Sequence, residues 1–570
     1  MAKKTTSIGP WIVVATVIIG FFCIFGCVLS LIAINGRDQS SSDVVVTDTD
    51  PASATLTLAY SPEKAALISD LVDRFNQQKL RTDDRKTMEV QLLELAPDLM
   101  VDEALSDAPR FQALTPDSSL WLDQLDRRWA GQQQLEESAI APSPVGEVVR
   151  YAVSPVVIAM WDDVARSLGW PDEAVGWETI QQRAAADPDF RWSHPSTSQA
   201  SGLLATLAEF YAGAGKTRGL TVDDATAQQT IDYVTNVERT VKFYGEGETA
   251  ILDRIRAEGR DFLDSFVVQE HLVVNYNRDA GSGSPELVAV YPAEGTLWAD
   301  HPLALLESSD LTNNQRSTFR AFRDFVQSPE AQQVVLQAGF RPSDLSLPLE
   351  GSAISPANGA DPSQPQTTLQ VPGPAVVDVV QNVWQFTKRK ANIYLVVDTS
   401  GSMEGDKLDA AQAALREFLG QIKGDQEQVG LVEFSTFVNN IDPLEPMADN
   451  RAHLERSIDN LEASGDTALL DAIMVAYDRL QQDADPERIN AIVAMTDGRE
   501  NASSTTLLRL RETIRRGNNS GVPVVVFTIA FGDDADYDVL QTIADASGGQ
   551  MRQGDLETIR QLYRILSSYF

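Results

Sequence analysis

The chain has 570 residues but only two cysteines, and both, Cys23 and Cys27, lie in one apolar run near the N-terminus. Nothing after Cys27 can therefore form a disulfide or a zinc–thiolate site. Histidine is scarce as well: His194, His271, His301 and His453 stand far apart, which argues against a histidine-rich metal centre. Basic residues are outnumbered, 46 Lys and Arg against 82 Asp and Glu, for a formal charge of −36. That balance excludes nucleic acid and anionic lipid as partners drawn by net attraction. No G-x-S-x-G elbow, H-E-x-x-H pair or His/Cys dyad is present, so the expectation is a binding protein and not an enzyme. One phosphate-loop look-alike, AGAGKT at 212–217, fails because the pattern needs glycine where Phe210 stands, and because it follows a helical run instead of a strand. Gly215 is expected to cap that helix.

What is present begins with Trp11 to Ile34, which carries no charge. As a helix this run would be roughly 36 Å long, enough to cross a hydrocarbon core of ~30 Å. Lys3 and Lys4 precede it and Asp43, Asp48 and Asp50 follow, so residues 1–10 are expected in the cytoplasm and the bulk of the chain outside. The run is too long for a cleaved signal peptide. Ile24–Cys27 has a faint lipobox character, but apolar sequence (VLSLIAI) continues past Cys27, where a lipoprotein would turn polar. The expectation is a single-pass cell-membrane protein held by one N-terminal helix over 11–34.

Composition divides the remainder. Residues 35–54 are polar and acidic and read as a spacer. Residues 55–345 alternate apolar runs with helical periodicity. Residues 343–373 contain five prolines and few bulky apolar side chains, so 346–388 is expected to be a linker, the first part of it extended. Residues 389–570 form the last unit. The overall fold class expected is α/β in both large domains.

In the last unit, NIYLVV (392–397), VGLVEF (429–434), AIVAM (491–495) and VPVVVFTIAF (522–531) read as buried parallel strands. Leu408, Ala411, Leu415, Phe418, Leu419 and Ile422 recur at helical spacing between them, as do Leu469, Ile473, Ala476, Tyr477 and Leu480. Such alternation predicts a doubly wound sheet with its function at the carboxyl ends of the strands. Oxygen-bearing side chains gather in three loops on that edge: Asp398, Ser400 and Ser402 in DTSGS after the first strand, Thr467 in SGDT just before a helix, and Asp497 in TDG after the third strand. Hard oxygen donors of this kind suit magnesium or manganese, with calcium a further option. DTSGS, SGDTALLDA and TDG, in this order, resemble the metal-ion-dependent adhesion site of von Willebrand factor A domains. The resemblance covers about 389–570 and implies that Asp398, Ser400, Ser402, Thr467 and Asp497 hold a divalent cation. It further implies that a protein partner donates a carboxylate to that ion.

In the preceding domain, LTLAY (56–60) runs into SPEK, where Pro62 suits a first helical turn. A strand is expected near 88–93, a helix opens after Ser118-Ser119, RYAVSPVVIAM (150–160) reads as one long strand, and a helix begins near Ala200. This order resembles type II solute-binding proteins of bacterial transport systems, with two α/β lobes joined by crossing strands. The resemblance implies an inter-lobe cleft lined by Tyr60, Ser61, Ser118, Ser119, Thr197 and Ser198. Hydroxyls and free N–H groups at helix starts suit a small polar or anionic solute, and the same residues also serve as ordinary N-caps. Two functions follow: adhesion through the cation site, or a transport-linked solute receptor with the last domain as a docking module.

Overall fold

The computed structural model describes residues 53–133, 143–245, 247–280, 286–483, 485–532, 534–556, 558–567 and 569–570. The expected span at 11–34 and its cytoplasmic tail lie outside them; among the described residues no helix is long and apolar enough to cross a membrane. Three sheets organise the described residues. The first holds Glu89–Glu94, Thr55–Tyr60, Ala113–Thr115, Pro302–Leu306 and Val145–Arg150, in that order. Its first three strands pair in parallel, while Pro302–Leu306 runs antiparallel to both its neighbours. The second sheet is built on Ala152–Trp161, every residue of which is buried, with Ser265–Gln269 and Leu287–Val290 antiparallel to it. The single long strand expected over 150–160 is thus two, broken at Tyr151, and the break is where the chain passes from one lobe to the other. It returns between Ala299 and Pro302, and Arg341–Pro342 pairs with Ala152–Val153 near the first crossing.

The third sheet runs Val438–Pro446, Gln428–Phe434, Ala391–Asp398, Ile489–Thr496, Val524–Phe531, Met551–Gly554. All pairs are parallel except the edge strand Val438–Pro446. Side chains alternate across it. Ile393, Leu395 and Val397 pack with Leu415, Phe418 and Ile458 on one face, and Tyr394 and Val396 pack with Ile473, Ala476 and Leu480 on the other. The four buried runs read from sequence are four of these six strands.

Residues 346–388 are not a free linker. Ala353, Ile354 and Ala360 bury against Val274, Thr368 bridges Thr296, and Pro374–Thr387 is a helix whose Val377, Val380 and Trp384 are buried. Small apolar side chains fill hollows in the second lobe, and prolines fix the turns between them. The helix joins the core of that lobe to the core of the last domain in one continuous cluster. Arg389 locks the junction, its guanidinium donating to the carbonyls of Val241 (2.9 Å) and Pro486 (2.8 Å).

The look-alike glycine is a helix cap: Gly215 ends Ala200–Ala214 in the left-handed region at φ 63°. At the other end of this helix, Gly202 lies against the turn before it; an added Cβ would stand 2.2 Å from the carbonyl oxygens of Pro195 and Ser196. Gly202→Ala must displace that turn, so it is expected to cost about 1–3 kcal/mol in urea unfolding of the full chain. A variant as stable as wild type would show that the helix start is not packed this tightly.

Candidate functional site

At the carboxyl edge of the third sheet, the strand Ala391–Asp398 delivers Asp398 fully buried, and Ile489–Thr496 delivers Asp497, also buried. The loop after Asp398 turns back on it: the Ser400 N–H donates to Asp398 Oδ1 at 2.7 Å, and the Thr496 hydroxyl donates to Oδ2. Ser400 Oγ and Ser402 Oγ are 3.0 Å apart, and Ser402 Oγ donates to Asp497 Oδ1 at 2.6 Å. The loop carrying Thr467 is tied to the first by Gly401 N–H to Gly465 O (3.0 Å) and Ser464 N–H to Thr399 O (2.8 Å). Gly465, at φ +83°, makes that approach. A Cβ on Gly498 would come 3.1 Å from Thr467 Oγ1 and 3.5 Å from Ser402 Oγ, so both hydroxyls border one space. The structure brings all five predicted residues together.

Two carboxylates and three hydroxyls make an all-oxygen donor set. Adjacent ligands around an octahedral magnesium at 2.0–2.1 Å lie about 2.9 Å apart, and the Ser400–Ser402 separation of 3.0 Å matches this spacing. Burial pushes the Asp398 pKa up to about 6, with the Thr496 and Ser400 hydrogen bonds opposing and Asp497 adding to the rise. A carboxylate in that position gains from a nearby cation. Sequence reading missed one member: Lys407, whose ammonium sits 2.6 Å from Asp497 Oδ2. Positive charge is thus already stabilised at one edge of the cluster. The residues fit a hard divalent ion.

The expected solute contacts are dispersed. Ser61 is buried with its hydroxyl unpartnered, Ser118 accepts from Leu120 N–H as a local cap (3.3 Å), and Ser119 N–H donates to Asp300 (2.7 Å). Tyr60 donates to Glu94 (3.0 Å). Ser198 pairs with Ser196 (3.1 Å), and Thr197 is buried beside them. A cavity of about 610 Å³ opens among Pro62, Glu63, Glu94, Ser198, Gly247 and Arg552; of the six predicted contacts Ser198 lines it.

What sequence reading missed is the buried polar network where the lobes meet. Lys64 donates to the carbonyls of Thr115 (2.9 Å) and Pro116 (2.8 Å) and pairs with Asp117 at 3.0 Å. His301 Nδ1 lies 3.4 Å from the same Asp117 oxygen. Across the gap, Gln269 donates to Asp117 (3.4 Å) and Glu248 (3.1 Å), and His271 meets the Glu63 carbonyl at 3.1 Å. Burial, reinforced by Asp117 and then Glu248, raises the Glu63 pKa well above normal. Burial also takes Glu248 up to about 7, against its Ser201 hydrogen bond. Lys64 is spent inside the protein, and the floor it leaves is acidic.

Comparison with known proteins bears on both halves. Residues 56–341 match the family model of bacterial extracellular solute-binding proteins, and 392–564 match that of the von Willebrand factor type A domain. Inter-alpha-trypsin inhibitor heavy chain H4 of Sus scrofa is 25% identical over 297 residues, 50% of this chain and 30% of that protein. The chain therefore spans under a third of the length of that relative. Among solved structures, a von Willebrand factor type A protein from Catenulispora acidiphila is 22% identical, covering 32% of this chain and 43% of its own at a TM-score of 0.28. The periplasmic binding protein P5PA is 13% identical, covering 58% of this chain and 99% of its own at a TM-score of 0.41.

Proposed function

The chain belongs to the bacterial extracellular solute-binding protein family and carries a von Willebrand factor type A domain at 392–564, and from this we propose that it is an extracytoplasmic adhesion protein, anchored by its apolar segment at 11–34. Its A domain captures a protein partner through magnesium or manganese held by Asp398, Ser400, Ser402, Thr467 and Asp497. The observation that carries this reading is the convergence of those five oxygens from three separate loops at one sheet edge. Ser402 is exposed while both aspartates are buried, so the ion would face outward with a coordination position open. A carboxylate of the partner supplies the remaining hard oxygen. The role is recognition, not catalysis.

Intact cells displaying the full chain test this directly. They should retain partner protein in magnesium, release it in EDTA, and lose both chain and binding to added protease. Capture that persists unchanged in EDTA would overturn the cation-dependent reading, and a chain that survives protease would overturn the topology.

A second reading, a solute receptor with the A domain as docking module, is favoured by the cavity of about 610 Å³ between the lobes. Glu63, Glu94, Arg254 and Arg552 all line it, which suits a polar solute. Calorimetric titration of the full chain with a metabolite panel would detect such a solute; a panel without heat would leave adhesion alone.

A further inference from the structure

A second cluster lies far from the A-domain oxygens, beneath the helix Pro374–Thr387. His194 lies on the strand Trp192–Pro195 of the second lobe, Glu209 lies on Ala200–Ala214, and Glu238 ends Gln228–Glu238. All three are fully buried, and one ligand atom from each lies within 4.8 Å of the others. We propose that His194, Glu209 and Glu238 form a structural zinc site that fixes the connector helix, and through it the A domain, onto the second lobe.

The donors point to a metal more than to an ordinary polar network. His194 Nδ1 stands 2.8 Å from the Pro195 carbonyl. A carbonyl only accepts, so Nδ1 carries the hydrogen. In the neutral ring Nε2 is then a lone pair, and it faces Glu238 Oε2, another acceptor, at 3.2 Å. Two acceptors at that distance need a proton or a metal ion between them. A ligating histidine typically donates its other ring N–H to a carbonyl in this way. Glu209 supplies the independent sign: it is completely buried, and neither of its carboxylate oxygens has a hydrogen-bond partner. The charges acting on it are those of Glu238 and Glu294, both negative. A lone anion there would be costly.

A divalent ion resolves these conflicts together. One neutral imidazole and two carboxylates balance its charge of +2, and three protein ligands leave a fourth position for water. Glu238 is oriented from outside that shell: Tyr244 donates to Oε2 at 2.7 Å, and the Trp384 indole N–H donates to Oε1. Trp384 belongs to the connector helix, and Tyr244 accepts the Arg389 N–H (2.8 Å) at the first residues of the A domain. The site therefore stitches the two halves where their cores merge.

The test uses the full chain carrying Asp398→Ala, which removes the A-domain cation site as a source of metal. Elemental analysis after dialysis against excess free ligand-free buffer should find about one zinc per chain. Adding zinc to metal-stripped protein should raise the melting temperature by roughly 5 °C. Introducing Glu209→Gln, isosteric but a poorer ligand, should abolish both. If that variant does not fold, X-ray absorption at the zinc edge decides in its place, with a nitrogen and oxygen shell containing one imidazole expected. Zinc-free protein whose melting is unmoved by zinc, or an absorption spectrum of hydrated zinc, would overturn the proposal and leave Glu209 and Glu238 sharing a proton.

Discussion

Lys64→Met should lower the unfolding free energy of the full chain by about 3–5 kcal/mol, the loss expected when one partner of a buried ion pair is removed. Methionine keeps much of the stem's volume, so little cavity cost accompanies the change. What disappears is the only ammonium against Asp117 among the described residues, together with donors to two carbonyls. Burial by itself would raise the Asp117 pKa, but Lys64 and His301 outweigh it and hold the carboxyl well below the usual carboxylate range. Because the folded pKa is depressed, the stabilisation is fully present above the ordinary aspartate value near 4 and is lost as pH falls toward the folded one. The gap between wild type and variant should therefore be full at pH 7 and narrow in acid. Adding Asp117→Asn should recover part of the loss, since the orphaned charge goes with it. A Lys64→Met protein within 1 kcal/mol of wild type by urea unfolding would show that the network does not hold the lobes.

None of that network was legible in advance, and the reason is physical. Glu63, Lys64, Asp117, Gln269, His271 and His301 come from both lobes and the crossing between them, and each alone reads as a solvated polar residue. Only closure of the lobes buries them, Glu63 in part. The adhesion-type oxygens are the opposite case. Asp398, Ser400, Ser402 and Asp497 lie in short motifs at the ends of buried apolar strands, and Thr467 in one just before a helix, so local sequence announced each residue together with its element. The two strands that escaped notice lack that signal: VNNIDPLEP at 438–446 carries two prolines and is half exposed, and MRQG at 551–554 is short and polar. Each lies at an edge of the sheet, where one side needs no partner. The connector was misread for a related reason. Its few apolar residues sit singly between prolines and show no period, yet Ile354 and Leu369 are buried by the lobe the connector crosses.

Asp398→Ala should abolish the stabilisation that magnesium gives the full chain. Stabilisation follows RT ln(1 + [L]/Kd), so magnesium at ~100 times Kd adds about 2.7 kcal/mol to wild type. The variant should gain almost none, because Asp398 and Asp497 are the two carboxylates of the set and half of the balancing charge is lost. The sheet itself should survive: the side chain caps a strand end, held by Thr496 and the Ser400 N–H, and lies outside the apolar layers. Without metal the variant should even gain stability relative to wild type as pH rises. Burial lifts the folded Asp398 pKa to about 6, above its unfolded value near 4, so in wild type this group costs stability between pH 4 and 6, and that cost persists at higher pH. The same raised pKa makes protons compete with the ion, so at pH 5 apparent magnesium affinity should fall about tenfold from its value at pH 7.5. Thermal melts with and without magnesium, at both pH values and for both proteins, read all of these effects. Equal magnesium shifts in wild type and Asp398→Ala would place the ion elsewhere. A shift that vanishes in the variant, and weakens in wild type at pH 5, ties the ion to this carboxylate.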